Sequence, residues 1–443
     1  MLLHFSLGND EMVRTRVFTM ISSLVVFAAG ALAQDLPAVL SLQDAIQLAR
    51  SRNPSVAAAG NEVEMAEADR LQAGRRLNPA ISTSSEGYPL FDSGPKPSFM
   101  DGQELTIRGD QEVELGGRRG LRTASAATGV DIARSLQADQ RRLADLAAQR
   151  AYLQVVLAKA EREVARAALE DIDRMLGITK ARLSQGEIAG GELRRLQVER
   201  LRFVDDQFAT DLALRNAKAA LLAVMGYADL SRDFDVSGAL TELPVVLTAF
   251  AMAGAADTLD RAAIEKQAMV SRPDLLAART EQQRADTETQ LQRALRTPNI
   301  TVGGGYRRTL TSNGVVFGVT VPVPLFNRNP GGIARAEAER RRAGNRANAA
   351  AIGVRLDVQQ AANAIEVNQA RVRYIEQETL VAAREARDAV MAAYQVGEAG
   401  LIDYLDAQRA FRDTLRIYNR ALYERRLSDF EVAAAIGRPS VQP

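Results

Sequence analysis

The chain of 443 residues contains no cysteine and no tryptophan, and its only histidine is His4. These absences exclude disulfides, thiolate nucleophiles, histidine general bases and zinc sites built from Cys or His. An excess of one charge is also missing, since 56 Lys and Arg residues face 55 Asp and Glu residues. This balance gives no electrostatic argument for binding nucleic acid. We therefore expect no enzyme, no cofactor or metal site and no nucleic-acid partner.

Long apolar runs are scarce, and the longest lies at the N-terminus. Residues 18–32 are apolar, follow Arg14 and Arg16, and end at the A-x-A sequence of residues 31–33. A basic start, a short apolar run and small residues before the cleavage point are typical of a secretory signal peptide. The sequence therefore predicts a cleaved signal peptide over residues 1–33, with translation beginning at Met1 or Met12.

No stretch after the signal peptide has the roughly 18 apolar residues that a membrane-spanning helix requires. The nearest is residues 243–256, which contains Pro244 and which we interpret as part of a buried linker. The absence of cysteine excludes the N-terminal lipid anchor of bacterial lipoproteins. Strands of an outer-membrane barrel carry a much weaker hydropathy signal, so that membrane structure remains open.

Prolines and glycines recur at matching positions in the two halves of the sequence. Two pairs of landmarks recur: Pro54 and Pro79 match Pro273 and Pro298 at an offset of 219, and Gly186 and Gly226 match Gly397 and Gly437 at an offset of 211. A repeat of about 200 residues is too long for a solenoid unit. We predict a first structural repeat at 34–237, a linker at 238–258 and a second structural repeat at 259–443.

Each repeat predicts the same order of elements. A proline-started helix comes first, then two strands with period-2 alternation, a very long helix without proline, a glycine turn and a returning helix. We expect strands at about 79–89, 103–116, 298–309 and 314–325, and long helices at about 120–185, 191–226, 332–396 and 401–437. Helices of roughly 100 Å with apolar residues at multiples of seven are typical of coiled coils.

Two repeats supply only four strands. Four strands cannot close a barrel, and an open sheet edge is not tolerated in lipid. If these strands enter a membrane, several chains must combine them, and three chains would give twelve strands. The sequence therefore predicts an obligate oligomer.

Three segments resemble the TolC family of outer-membrane efflux proteins. The sequence YQVGEAGLIDYLDAQ at residues 394–408 is similar to the last helical turn of that family. Residues 116–119 (GGRR) and 321–329 (VPVPLFNRN) resemble the branch that serves cobalt-zinc-cadmium pumps.

The resemblance implies a mostly α-helical homotrimer with a long coiled-coil tunnel across the periplasm and a 12-stranded β-barrel in outer-membrane lipid. It also implies two partners, a periplasmic membrane-fusion adaptor and an inner-membrane pump of the resistance–nodulation–division (RND) class.

Asp403 and Asp406 lie three residues apart, so they share one helix face. They also fit a plain role beside a helix N-terminus. The resemblance implies that aspartates at these positions constrict the periplasmic aperture, where three copies would place six carboxylates in a cation-favouring, pH-sensitive ring. Tyr394 matches a family tyrosine that holds the tip closed. The usual arginine partner is replaced by Ala399, and Arg195 is a candidate substitute for it.

The two glycine turns are candidate adaptor-facing tips, although helix reversal alone also explains their glycines. Their residues are Gly186, Glu187 and Gly190 in the first repeat and Gly397, Glu398, Gly400 and Leu401 in the second. A polar row in the first hairpin either lines a lumen or faces water: Arg108, Asp110, Glu112 and Glu114.

These observations favour a passive outer-membrane duct of an RND-type efflux system, carrying small solutes and, by resemblance, heavy-metal cations. Two alternatives stay open. One is the duct of a drug efflux or type I secretion system, and the other is a periplasmic coiled-coil adaptor or scaffold.

Overall fold

The computed structural model describes residues 36–87, 94, 103–242 and 260–437. The predicted signal peptide, most of the first hairpin loop and most of the linker lie outside these described residues. Within them, no helix is both long enough and apolar enough to cross a membrane.

Both halves of the described chain contain two helices, two strands, a long helical stretch and a returning helix in the same order. The first half contains β1 (Val39–Leu40), α1 (Leu42–Arg52), α2 (Pro54–Ala73), β2 (Ala80–Glu86), β3 (Glu104–Val113), α3 (Arg118–Ser184), α4 (Gly190–Val224) and β4 (Asp235–Val236). The second contains α5 (Arg261–Ser271), α6 (Pro273–Ala294), β5 (Ile300–Arg308), β6 (Asn313–Thr320), α7 (Pro330–Tyr374), a π-helical segment (Ile375–Thr379), α8 (Leu380–Val396) and α9 (Leu401–Ile436). Long helices therefore make up most of both halves.

Local sequence explains where these helices start. Ser41 and Asp44 form a capping box at the start of α1, with the Asp44 amide donating to the Ser41 hydroxyl at 3.1 Å. Pro54 and Pro273 occupy the first turns of α2 and α6, where a missing amide hydrogen costs nothing. The first long helix begins after Gly117 and the second after Asn329, both in the left-handed conformation. Glycine and asparagine tolerate that conformation best, which fixes the two corners.

The four longer strands form one antiparallel sheet in the order β2-β3-β5-β6. The central pair is in register from Leu105 opposite Arg308 to Val113 opposite Ile300. The predicted strand at 314–325 was too long, because β6 ends at Thr320. Pro322 and Pro324 follow and have no amide hydrogen to donate to a strand ladder. Similarly, β3 ends at Val113, shortly before Gly116 and Gly117 turn the backbone with positive φ.

The predicted long helix at 332–396 is helical throughout, but part of it is not an α-helix. Between α7 and α8 the chain forms five residues of π-helix, Ile375–Thr379, and the Leu380 amide donates to the carbonyl of Ile375. The corresponding helix of the first half, α3, is α-helical over all 67 residues. A π segment widens the helix locally and is commonly found at functional positions.

In the ranges that the structure describes, the buried apolar residues form three clusters along the helices rather than one central core. The largest lies where α1 packs on the middle of α3 and on the ends of α4 and α9, around Tyr152, Leu221 and Phe430. The second lies where α5 packs on α7 and the end of α9, around Val354. The third lies at the far end of the helices, where both hairpins turn, and includes Tyr394 and Tyr404. The third cluster positions the candidate site.

Candidate functional site

The candidate site is the tip at which the two helical hairpins reverse direction. Gly186 (φ 78°) ends α3 and Gly397 (φ 85°) ends α8, both in the left-handed conformation that a side chain would strain. The tip cluster beneath these turns joins the two hairpins of one chain. Its buried members are Ala168, Ile172, Met175, Leu196, Phe203, Tyr394, Leu401, Tyr404 and Leu405.

Two stacked tyrosines form the centre of this cluster. The rings of Tyr394 and Tyr404 are 5.5 Å apart with an interplanar angle of 23°, and both side chains are 2% exposed. Burial and the nearby Asp171 carboxylate raise the pKa of Tyr404 to about 12. The Tyr404 ring is therefore a neutral packing element at physiological pH. Stacked aromatic pairs add about 1 kcal/mol to the gain from burial alone.

Arg182 connects the two turns. It comes from the end of α3, yet its guanidinium lies 5.7 Å from the centre of the Tyr394 ring and donates to the Tyr394 carbonyl at 3.3 Å. It also pairs with Glu187 in its own turn at 3.3 Å. A Cβ atom at Gly397 would lie 3.5 Å from the same guanidinium, so this side chain occupies the space beside the second turn. Arg182 is not among the residues predicted from the sequence, because nothing in the sequence marks a contact between residues 212 positions apart.

The predicted gate residues Asp403 and Asp406 both lie exposed on α9. Asp403 accepts the Gly400 amide at 3.1 Å, so it does cap the helix as the simpler interpretation requires. Asp406 pairs with Arg409 at 3.0 Å while its own side chain remains 65% exposed. Arg409 also donates from Nε to Glu199 on α4 at 3.1 Å. Asp403 and Asp406 thus share one accessible face of α9. Arg409 connects this face to α4 of the first hairpin.

Inside a single chain, Arg195 does not make the substitute contact proposed from the sequence. Within one chain the arginine against Tyr394 is Arg182, while Arg195 lies exposed beside the inward-facing Leu196. The described residues of the chain give Arg195 no ion-pair partner. Position 195 turns away from the tip cluster because Leu196, the next residue on the helix, occupies the inward face.

The remaining predicted tip residues lie at the turns. Glu187 and Glu398 are exposed, while Leu401 is buried under the second turn and anchors the start of α9. Gly190 begins α4, and Gly400 precedes α9. Across the described ranges of the chain, no group of three or more acidic side chains is arranged to hold a metal ion.

Comparison with known proteins gives this geometry a class. The family model described as "Outer membrane efflux protein" matches residues 45–227 and 265–438, most of each half. The cobalt-zinc-cadmium resistance protein CzcC of Cupriavidus metallidurans is 26% identical over 375 residues, covering 84% of this chain and 83% of CzcC.

Two solved structures have the same fold. The channel protein CusC superposes with a TM-score of 0.73 at 17% identity, covering 92% of this chain and 96% of CusC. The outer membrane protein VceC of Vibrio cholerae gives a TM-score of 0.71 at 18% identity, covering 90% of this chain and 96% of VceC.

The chain belongs to the outer membrane efflux protein family. The predicted fold class, a TolC-like channel protein with two internal structural repeats, is confirmed. The predicted function as an efflux channel component is confirmed as well.

Proposed function

We propose that three copies of this chain form the outer-membrane channel of a tripartite RND efflux system that exports heavy-metal cations. The observation that carries the oligomer is the sheet itself. Within the described part of the chain the order is β2-β3-β5-β6, so the strands β2 and β6 each have one unpaired edge. Unpaired backbone groups are costly in lipid, and pairing with copies of the same sheet would remove both edges.

The helices offer a matching surface. On α4, Val198, Leu201, Phe208 and Leu212 follow one another at intervals of three, seven and four residues, and each is more than half exposed. Such intervals form the apolar seam of a coiled coil, which needs a partner helix. A neighbouring copy in a trimeric tunnel would provide that partner.

The heavy-metal cargo is supported by relatives. CzcC is named for cobalt, zinc and cadmium resistance, and a second relative, CnrC of the same organism, is named for nickel and cobalt resistance. The duct of a drug efflux or secretion system would have the same fold, so the fold does not identify the cargo. The heavy-metal cargo is inferred from the names of these two relatives. Deleting the gene should lower the tolerated concentration of cobalt, zinc or cadmium salts. Unchanged metal tolerance together with lost tolerance of dyes and detergents would assign a drug duct instead. The adaptor alternative lacks support, because the chain belongs to a channel family.

We further propose that Asp403 and Asp406 form the constriction at the inner end of this channel, and that the two turns contact the adaptor. The support is their shared exposed face on α9. Three copies would gather six carboxylates around one axis, and such a ring attracts cations.

The double variant Asp403→Ala, Asp406→Ala tests this proposal in planar bilayers. We expect its cation-to-anion permeability ratio to fall roughly fivefold or more, since unit charges a few ångströms from an ion in water are worth about 1 kcal/mol. Asp413→Ala is the matched control, because Asp413 lies further along the same helix with its side chain 60% exposed. A permeability ratio equal to that of the control would contradict the gate.

A further inference from the structure

The four-stranded sheet has two chemically different faces. One face carries exposed apolar side chains, and these are Ile81, Ile107, Val302, Tyr306, Val315, Phe317 and Val319. Because side chains alternate along strands, their neighbours point to the opposite face. That opposite face carries the charges Glu86, Glu104, Arg108, Asp110, Glu112 and Arg307. If the apolar face meets lipid, the charged face meets the interior of the channel.

Five of these charges, all except Glu86, are arranged in opposite-sign or hydrogen-bonded groups at three levels. Glu104 pairs with Arg307 across the strands β3 and β5. Arg108 pairs with Asp110 at 3.1 Å on β3. Nearest the helices, Glu112 accepts from Asn299 at 2.7 Å, and Asn299 in turn accepts from Arg118.

The middle pair, Arg108 and Asp110, is surrounded by glycines on the neighbouring strands. Directly across from Asp110 and Arg108 stand Gly303 and Gly305, and a Cβ atom at either position would overlap β3 atoms. On the next strand, a Cβ atom at Gly318 would lie 2.9 Å from the Arg108 guanidinium. These strand positions lack side chains where the two charged groups lie flat along the sheet.

The position of Arg108 supports the same view. Its Nε atom is shielded from solvent and has no partner among the described residues, while the outer part of its guanidinium reaches Asp110. A guanidinium held against the glycines keeps its charge close to the carboxylate. The Arg108 side chain therefore lies along the sheet and does not project away from it.

We propose that Arg108 and Asp110 form a charge-compensated belt around the lumen of the membrane part of the channel, a second selectivity element distinct from the tip. The proposal rests on the trimeric channel function. Three copies would place three guanidinium and three carboxylate groups at one level. At that level Arg108 neutralises most of the field of Asp110, so a divalent cation passes the carboxylate without being retained.

Opposite single substitutions in planar bilayers test the belt. Because six gate carboxylates would dominate selectivity, the background is Asp403→Ala, Asp406→Ala. There Arg108→Gln should raise the cation-to-anion permeability ratio roughly fivefold and introduce block by cadmium ions. Asp110→Asn should lower the ratio by a similar factor. The double change Arg108→Gln, Asp110→Asn should return it close to the background value.

This pattern separates the belt from a merely structural pair. Loss of a structural ion pair would impair assembly in both single variants and would not shift reversal potentials in opposite directions. Conducting channels whose permeability ratio is the same in all four proteins would overturn the belt and leave the channel function intact. Absence of conductance from the unmodified protein would overturn the channel function, and with it the belt.

The lack of native cysteine gives a direct measure of which face meets water. In the otherwise unmodified chain, Asp110→Cys provides a single thiol on the charged face. Ile107→Cys provides the matched thiol on the apolar face. A charged, membrane-impermeant thiosulfonate should reduce the conductance of the first variant and leave the second unchanged. Equal reaction at both positions, or reaction at Ile107→Cys alone, would contradict a lumenal belt.

Discussion

The two halves of the molecule make the same backbone contact with different side chains. In the first half, Gly226 at the end of α4 lies against the backbone of Arg52 and Asn53, between α1 and α2. In the second half, Gly437 at the end of α9 lies against Ser271 and Arg272, between α5 and α6. Both glycines have positive φ. The duplicated fold thus retains the backbone geometry of this junction.

The side chains at the junction differ in chemistry. In the first half, Asn53 donates to the Val224 carbonyl at 2.9 Å and accepts from the Ser55 amide at 2.8 Å. In the second half, the equivalent Arg272 is 5% exposed and pairs with Asp274 at 2.8 Å and Asp357 at 3.0 Å. The first junction is therefore held by a neutral amide and the second by a buried cation. The same fold can be stabilised with or without dependence on charge.

Substituting the two glycines should have the largest effect. Gly226→Ala places a Cβ atom 2.5 Å from the Arg52 carbonyl oxygen, whereas Gly437→Ala places one 2.9 Å from the Ser271 oxygen. Both variants also force alanine into positive φ. We expect a cost of about 3 kcal/mol or more for Gly226→Ala and a smaller cost for Gly437→Ala. Thermal unfolding of the purified protein measures both.

The controls for the glycine pair are Gly177→Ala in α3 and Gly353→Ala in α7. Neither Cβ atom would meet another heavy atom within 4 Å. Alanine favours a helix over glycine by up to about 1 kcal/mol, so these variants should match or exceed the unmodified stability. Thermal midpoints for Gly226→Ala at the level of these controls would show that the junction is not close-packed.

Removing the side chains at the junction should have an intermediate effect that differs between the halves. Arg272→Ala leaves Asp274 and Asp357 without their cation, and we expect a loss of about 2–3 kcal/mol. Asn53→Ala removes one cap and one hydrogen bond, for a loss of about 1 kcal/mol. Denaturant unfolding compares the two variants. Equal losses would mean that the buried cation adds nothing to the neutral arrangement.

The two junctions should also differ in acid. Burial raises the pKa of Asp274, but the hydrogen bond and charge of Arg272 outweigh it and hold the pKa below its ordinary value of 3.8. A lowered folded-state pKa contributes stability that is complete above pH 3.8 and disappears as pH falls through the folded value. The deficit of Arg272→Ala should therefore shrink below pH 3.8. The Asn53→Ala deficit should stay constant, and a parallel decline in both would contradict the assignment.

The smallest expected effect concerns the π segment of the second half, which has no counterpart in α3. The Tyr418 hydroxyl donates to Glu376 in this segment at 2.6 Å, and burial together with this bond raises the pKa of Tyr418 to about 12. The positions 211 residues earlier are Gln207 and Ala165, so the first half lacks the pair. Tyr418→Phe should cost about 1 kcal/mol.

The control for this change is Tyr423→Phe, because the Tyr423 hydroxyl makes no hydrogen bond with the described residues. It should cost less than about 0.5 kcal/mol. Hydrogen exchange of the amides at 375–380 would reveal a local effect. Unaltered exchange in Tyr418→Phe would mean that the π segment does not depend on Glu376.

Many helix boundaries of the fold could be predicted from prolines and glycines in the sequence. Proline at the start of α2 and α6 and glycine at the end of α4 and α9 mark helix boundaries because each acts on the local backbone. The π segment could not be predicted, since residues 375–379 contain no residue that forbids an α-helix. The Arg182–Tyr394 contact joins the two hairpins, and a single sequence carries no signal for such a pairing. Tyr404 lay within the segment that resembles the family, but its stacking on Tyr394 required the structure.

Arg182 has a mechanical consequence. It belongs to the first hairpin and holds both the ring and the backbone of Tyr394 in the second, so the two turns of the chain are fastened together at their extreme ends. A force applied to one turn therefore moves the other turn as well, unless the Arg182 guanidinium separates from the Tyr394 ring. A binding protein that grips only one of the two turns therefore exerts force on both.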